Sequence, residues 1–266
     1  MTNLLPLIPR SDFHIHTDLS PDADRDCTLA NLAKVAAGLG LREIGLTDHV
    51  EGNPKPAADQ RWQCTDLAAL TRRCQQIRDQ PWPLRLLSGW EVDYYDGGGY
   101  SFVPDQHLPL LDYVLLAHHA VGAVISESPA RIAQYLLRIT HAMAVDPYAH
   151  IIAHPFYFPP PPERHGLILA CLSDHDLSDV FAAMRETGKA AEITPYQFSA
   201  DLRSVEQMRR VYSLARQAGV KFALDSDAHR LWNMGEGLRC LHVLAELGFT
   251  GADFVDFAGL QQLART

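Results

Sequence analysis

The residues able to do chemistry sit in short pairs. Asp12-Phe13-His14-Ile15-His16 carries two imidazoles two positions apart, and Asp225-Ser226-Asp227-Ala228-His229 sets a carboxylate and an imidazole at the same spacing. In an extended chain residues i and i+2 point to one side, so each pair presents its groups together. Between them lie Thr47-Asp48-His49, Gly89-Trp90-Glu91-Val92-Asp93, Ala117-His118-His119, Ala153-His154-Pro155 and Ala191-Glu192-Ile193. Neutral imidazole with carboxylate is donor chemistry for Zn, Mn or Fe. About eight such donors exceed what one tetrahedral ion accepts, which points to a cluster of two or three divalent ions. A bridging carboxylate is then needed to hold cations within about 4 Å of one another, and Glu91 is the candidate. A lone His at a strand end is more often a hydrogen-bonded core residue than a ligand, so the weight rests on repetition. His118 and His119 point to opposite faces of an extended chain, so one of the two is expected at the metals. Glu192 either orients a ligand or touches substrate. His107, His141, His150, His165, His175 and His242 have no such placement and read as surface or core residues.

The elements that would position these groups follow from the apolar runs. Ser11–Ile15, Glu43–Thr47, Leu84–Val92, Tyr113–Ala117, His150–Ala153, Ala190–Ile193 and Lys221–Asp225 read as strands. Helical periodicity runs through Leu29–Leu39, Asp66–Arg78, Ala130–Val145, Asp174–Thr187, Val205–Ala218 and Leu238–Leu247. Gly40, Gly188 and Gly219 follow three of these as expected of helix C-termini. Repeated strand–helix alternation predicts an α/β fold with a parallel sheet, closed into a barrel. Every donor cluster then falls at the C-terminal end of a strand, the rim on which α/β barrels build their active sites. No Gly/Ser linker or shift of composition divides the chain, so residues 1–266 are expected to form a single domain. The Pro159–Pro162 run reads as a stiff lid or connector, and Gly97–Gly99 as a flexible turn after the third strand.

The 266 residues are 47% hydrophobic and 21% charged, an ordinary globular composition. Lys and Arg number 23 against 32 Asp and Glu, a net charge of −9. That argues against a broad basic face for duplex nucleic acid while leaving room for a local basic pocket. The 5 cysteines are scattered and form no C-x-x-C pair, which predicts reduced thiols and a cytoplasmic home. No signal peptide and no membrane span are expected, since no apolar run reaches about 18 residues.

With D-F-H-I-H-T, L-T-D-H at Leu46–His49, G-W-E-V-D-Y at Gly89–Tyr94, H-H after D-Y-V, A-H-P at Ala153–Pro155 and S-D-A-H at Ser226–His229, the chain resembles the PHP (polymerase and histidinol phosphatase) family of metal-dependent phosphoesterases. The resemblance runs from Asp12 to about Gly235. It implies a distorted (β/α)7 barrel with a trinuclear site at the rim. It implies that His14, His16, Glu91 and Asp227 hold one metal, that Glu91, His119 and His154 hold a second with Glu91 bridging, and that Asp22, His49 and His229 hold the third. His119 aligns with the family ligand better than His118. Histidinol-phosphatase members carry Pro-His-Gly where this chain has Pro21-Asp22-Ala23, so Asp22 would ligate as a carboxylate and the likeness to that branch is weaker here.

The implied activity is hydrolysis of a phosphomonoester of a small metabolite or nucleotide, by in-line attack of a metal-bridging hydroxide at Glu91. Asp18, Asp48 or His118 would be the proton donor to the leaving group. Arg164, Arg203 and Arg230, read as loop residues after strands five, six and seven, would bind the phosphate through two oxygens at once, with Glu192 beside them. A single-strand exonuclease or phosphodiesterase, and a catalytically silent metal-binding module, are the alternatives.

Overall fold

The computed structural model describes residues 9–50, 66–101, 104–119, 124, 126–157, 162–198 and 202–263. The apolar runs form strands β1 (Ser11–Ile15), β2 (Glu43–Leu46), β3 (Arg85–Asp93), β4 (Tyr113–Ala117), β5 (Ile151–Ile152), β6 (Ala190–Ile193) and β7 (Lys221–Leu224). They are parallel and paired in chain order. Between them run α1 (Leu29–Gly38), α2 (Leu67–Asp79), a short α3 (Pro104–His107), α4 (Pro129–Ala144), α5 (Pro162–Leu169), α6 (Asp174–Glu186) and α7 (Leu202–Gln217); α8 (Leu241–Glu246) and α9 (Phe257–Leu263) follow the last strand. A parallel bridge between Ile15 and Ala228 brings the seventh strand's extension back to the first. There the amide of His16 donates to the carbonyl of Ala228 at 2.9 Å, and that of Ala228 to His14 at 3.3 Å. The result is a nearly closed (β/α)7 barrel in a single domain.

Strand alternation sorts side chains between two cores. Trp90, Val92, Val114, Leu116, Ile152, Ala191, Ile193, Phe222 and Leu224 pack outward with the helices. Phe13, Leu87, Tyr113, Leu115, Ala117, Ile151, Ala153, Ala190 and Ala223 fill the interior, joined from the far end by Phe257 and Leu260 of α9. Glu91 and Asp93 have the parity of Leu87, so the same alternation that buries an apolar interior aims these two acids into it at the rim. The interior is tight. A Cβ at Gly45 would lie 1.9 Å from the Tyr113 hydroxyl, and one at Gly89 2.5 Å from the same ring. The Tyr113 hydroxyl is itself fixed, donating to the carbonyl of Phe13. Gly45→Ala is therefore expected to destabilise the fold by about 1–3 kcal/mol. Urea unfolding would measure it, and an unchanged midpoint would mean that Tyr113 moves aside.

Local signals account for most helix limits. Thr28, Ser128 and Ser173 cap α1, α4 and α6 through side-chain oxygens, and Gly40, Gly188 and Gly219 take the left-handed conformation just past helix ends. Departures from the expected elements are visible, the helices α3 and α9 among them. α5 was not expected, and of the proline run only Pro162 is among the described residues. β5 is shorter than the run His150–Ala153. α7 starts at Leu202 rather than Val205, and the expected helix Leu238–Leu247 is a 3-10 turn over Glu236–Cys240 followed by α8. Arg164 and Arg203 consequently stand on helices, not loops. Gly97, Gly98 and Gly99 form the tip of a turn with φ of +93°, +90° and +117°. Cys27, Cys74, Cys171 and Cys240 are free thiols; Cys64 lies outside the described residues. Among the described residues no helix is long and apolar enough to cross a membrane.

Candidate metal centre

The donor clusters converge at the C-terminal rim. His14 and His16 leave β1 with their Nε2 atoms 3.1 Å apart. Each lies 3.2 Å from Asp227 Oδ1, which reaches in from beyond β7, and 3.5 Å from Glu91 Oε2 at the end of β3. Four donors held about 2.0–2.1 Å from a tetrahedral ion stand about 3.3–3.4 Å from one another, so these separations are those of a metal cage. The other oxygen of Glu91 lies 3.3 Å from His119 Nε2 and 3.2 Å from His154 Nε2. Asp22 Oδ2 is 2.8 Å from His229 Nε2 and 3.6 Å from His49 Nε2. His49 Nδ1 in turn lies 2.8 Å from Glu91. All nine of the expected donors are thus drawn into one basin, with Glu91 at its centre.

The outer hydrogen bonds decide which way the lone pairs face. His14 Nδ1 is 2.6 Å from Glu192 Oε1, so that nitrogen carries the proton and Nε2 is left as a donor of electrons. His16 Nδ1 is 3.0 Å from Ser20 Oγ, whose own proton goes to Asp48 at 2.8 Å, with the same consequence. Once His14 gives up a proton from Nε2, the two buried imidazoles direct lone pairs toward each other and toward a carboxylate, an arrangement that a shared cation would stabilise. His119 Nδ1 is likewise held by Asp93 at 2.7 Å, and His229 Nδ1 by the carbonyl of Asp227 at 3.0 Å. The chemistry of the donor set fits divalent metal ions.

Two of the donors sit on unusual backbone. His154 has φ of +29° and Asp227 of +50°, a region that costs a non-glycine residue on the order of 1–3 kcal/mol. For His154 the surroundings impose it: its amide donates to Glu192 Oε2 at 2.6 Å. Glu192 is fully buried with one oxygen on each histidine. Of the two roles open to it, orienting ligands is the one its hydrogen bonds serve, since one oxygen is taken by the His14 ring and the other by the His154 amide.

Charges within the basin are strongly coupled. Burial alone would keep His14 and His49 neutral, but the carboxylates around them outweigh it: Asp227, Glu192 and Glu91 raise His14 well above its ordinary value, and Glu91 with Asp22 brings His49 to about 10. His16 goes the other way, to about 3, through burial and then the positive His229 and His49. Burial would also raise Glu91 and Asp227, yet the facing histidines hold both well below the carboxylate range. Loading a divalent ion into chelator-stripped protein near pH 7 must therefore displace protons that His14 and His49 hold below their raised values. Affinity is expected to fall as pH is lowered, with net proton release. Calorimetry in two buffers of different ionisation enthalpy measures this, and zero release would contradict it.

The remaining expected residues divide. His118 is buried, and burial with the neighbouring His154 and His119 lowers it to about 3. It is neutral near pH 7, which does not suit a cationic proton donor, and His119 is the member of the pair that meets Glu91. Asp48 accepts from the Thr17 amide and hydroxyl, both at 2.7 Å, and from Ser20. These bonds fasten the loop after β1. Asp18 keeps a partly exposed carboxylate, 2.9 Å from Arg73 of α2. Arg164 donates to the carbonyl of Glu127 at 2.5 Å, Arg203 packs its stem against Gly166, and Arg230 lies 3.5 Å from Asp24 and over the Trp232 ring. Asp93 and Ser20 were not singled out in the sequence. Asp93 lies two positions after Glu91 on one strand face, so the i, i+2 rule finds it; nothing comparable marks Ser20.

No protein-family model matches the chain. It is 29% identical over 240 residues to a probable phosphatase of Thermoanaerobacter sp. (strain X514), covering 90% of this chain and 86% of the relative. To a probable phosphatase of Acetivibrio thermocellus it is 25% identical over 238 residues, covering 89% and 86%. Among solved structures it is similar to histidinol phosphate phosphatase from Lactococcus lactis subsp. lactis, complexed with zinc, L-histidinol and phosphate. That likeness has a TM-score of 0.65 at 16% identity and covers 92% of this chain and 98% of that one. A structure from Listeria monocytogenes gives the same TM-score of 0.65 at 13% identity. At these identities the structural likenesses speak for the fold, and the relatives along nearly the whole chain are proteins named as phosphatases.

Proposed function

We propose that the chain is a phosphoric ester hydrolase of the PHP type, a phosphomonoesterase that depends on two or three divalent ions, Zn, Mn or Fe. The observation that carries this reading is the pair of facing Nε2 atoms of His14 and His16, 3.1 Å apart with Asp227 and Glu91 completing the cage. His14, His16, Glu91 and Asp227 would hold one ion, Glu91, His119 and His154 a second, and Asp22, His49 and His229 a third. When bound, such ions supply Lewis acidity, neutralising phosphoryl oxygens and making water nucleophilic near neutral pH. The chain's own part is to fix the donors. Glu192 and Asp93 orient His14 and His119, Ser20 orients His16, and the apolar interior beneath the rim keeps bulk water from the basin's floor. Positive charge for the phosphate would come from Arg164, Arg203 or Arg230 near the rim, where a guanidinium takes two oxygens at once. The named relatives support a phosphatase, and the net charge of −9 supports a small substrate over a nucleic-acid strand.

The test uses metal-reconstituted protein on p-nitrophenyl phosphate and bis(p-nitrophenyl) phosphate, with His14→Ala as control. Hydrolysis of the monoester at least about tenfold faster than the diester is expected, and lost in the variant. A faster diester would favour the nuclease reading. Inactivity on both would favour a silent metal-binding module.

A further inference from the structure

A second space opens beside the donor basin. A cavity of about 590 Å³ has Asp227 and His229 in its wall and extends between the 195–198 turn and the segment from Asn233 to Val243. Its two long walls differ in character. The 195–198 turn and the start of α7 contribute Tyr196, Phe198 and Val205. The Tyr196 ring stands 4.7 Å from Tyr157 and 6.2 Å from His154, so this wall runs directly into the donor set. Phe198 stacks at 5.6 Å on the buried Tyr212, which holds the wall rigid.

The segment from Asn233 to Val243 contributes mostly polar groups, Asn233, Glu236, Arg239 and His242, beside Cys240 and Val243. Its charges are already matched. Glu236 receives Asn233 Nδ2 on one oxygen and the Arg239 guanidinium on the other, each at 2.8 Å, and His242 Nδ1 is tied to the Arg239 carbonyl at 2.9 Å. A paired carboxylate and guanidinium leave hydrogen-bonding edges with no net charge between them.

Building on the phosphatase reading, we propose that this cavity receives the leaving alcohol of the phosphomonoester, and that the alcohol carries a flat, uncharged ring. A slot with one aromatic face and one polar edge matches such a ring, its face against Tyr196 and Phe198 and its edge toward Asn233. The volume lies in the ordinary range for a small-molecule site, about 300–1,000 Å³. A short aliphatic alcohol would leave the aromatic wall uncovered. A polyanionic strand would need free positive charge, and the one guanidinium in the wall is already paired.

Benzylphosphonate and methylphosphonate share an anionic head and differ by the ring, and neither can be hydrolysed at the phosphorus. Calorimetric titration of the metal-loaded protein is expected to give benzylphosphonate at least tenfold the affinity of methylphosphonate. A 4-aminomethyl or 4-carboxy group on the ring is expected to reduce that advantage. His242→Trp, at an exposed position of the wall, fills the slot and is expected to erase it, with a thermal melt confirming the fold. Equal affinities in the parent protein, or tighter binding of a charged ring, would overturn the proposal. If p-nitrophenyl phosphate is nonetheless hydrolysed, the phosphatase reading survives that failure. If neither phosphonate binds and nothing is hydrolysed, both fall.

Discussion

Glu91→Gln is expected to reduce phosphomonoester hydrolysis by at least about a hundredfold and to leave the purified protein short of metal. Glutamine keeps the shape of the side chain but removes its charge and turns one acceptor oxygen into an amide donor. Glu91 is the group that both sets of histidines share, within 3.5 Å of His14, His16, His49, His119 and His154. An amide there faces imidazole nitrogens with hydrogen atoms on one side. Loss of a residue that only supports a ligand costs about 10–100-fold in metal affinity or activity, and a donor shared between two ions should exceed that. Elemental analysis beside kcat/KM gives the answer. A variant with full metal content and the parental rate would remove Glu91 from the centre of the site.

Glu192→Ala should follow closely, with a loss of about 10–100-fold in metal affinity. Two defects arise together. His14 loses the acceptor that keeps its proton on Nδ1, and the His154 amide loses the oxygen that secures a left-handed backbone. Glu192→Gln is expected to do less harm, because its carbonyl oxygen can still accept from one of the two. Competition with a chromogenic chelator measures the affinity directly, independent of turnover. Parental affinity in the alanine variant would mean that Ser20, Asp93 and the backbone suffice to hold the donors.

The barrel was legible because its physics is local. Period-two apolar runs and capped helices recur along the chain, and both are written into neighbouring residues. The convergence of side chains at the rim was legible for the same reason: pairs such as His14 with His16 and Asp227 with His229 lie two apart on strand-like backbone. What escaped depends on contacts between distant segments. Nothing in the sequence around Asp48 shows that the loop after β1 folds over it and bonds its oxygens through Thr17 and Ser20. His118 looks like a possible acid until burial makes its cation unfavourable. Arg164 and Arg203 read as loop residues because the starts of α5 and α7 carry weak periodicity, and α5 follows a proline run.

The bridge at Ala228 carries a consequence for how the protein comes into being. That residue sits between Asp227 and His229 and is stitched to both sides of the first strand's histidine pair. His16 and Asp227 are 211 positions apart, so on the proposed reading the histidine pair of the first strand meets its carboxylate only after the seventh strand has been made. If these residues hold an ion as proposed, its capture would wait on that meeting, and a nonsense mutation before the seventh strand would abolish it. Uptake of metal by refolding protein would time the moment at which the two ends of the sheet meet.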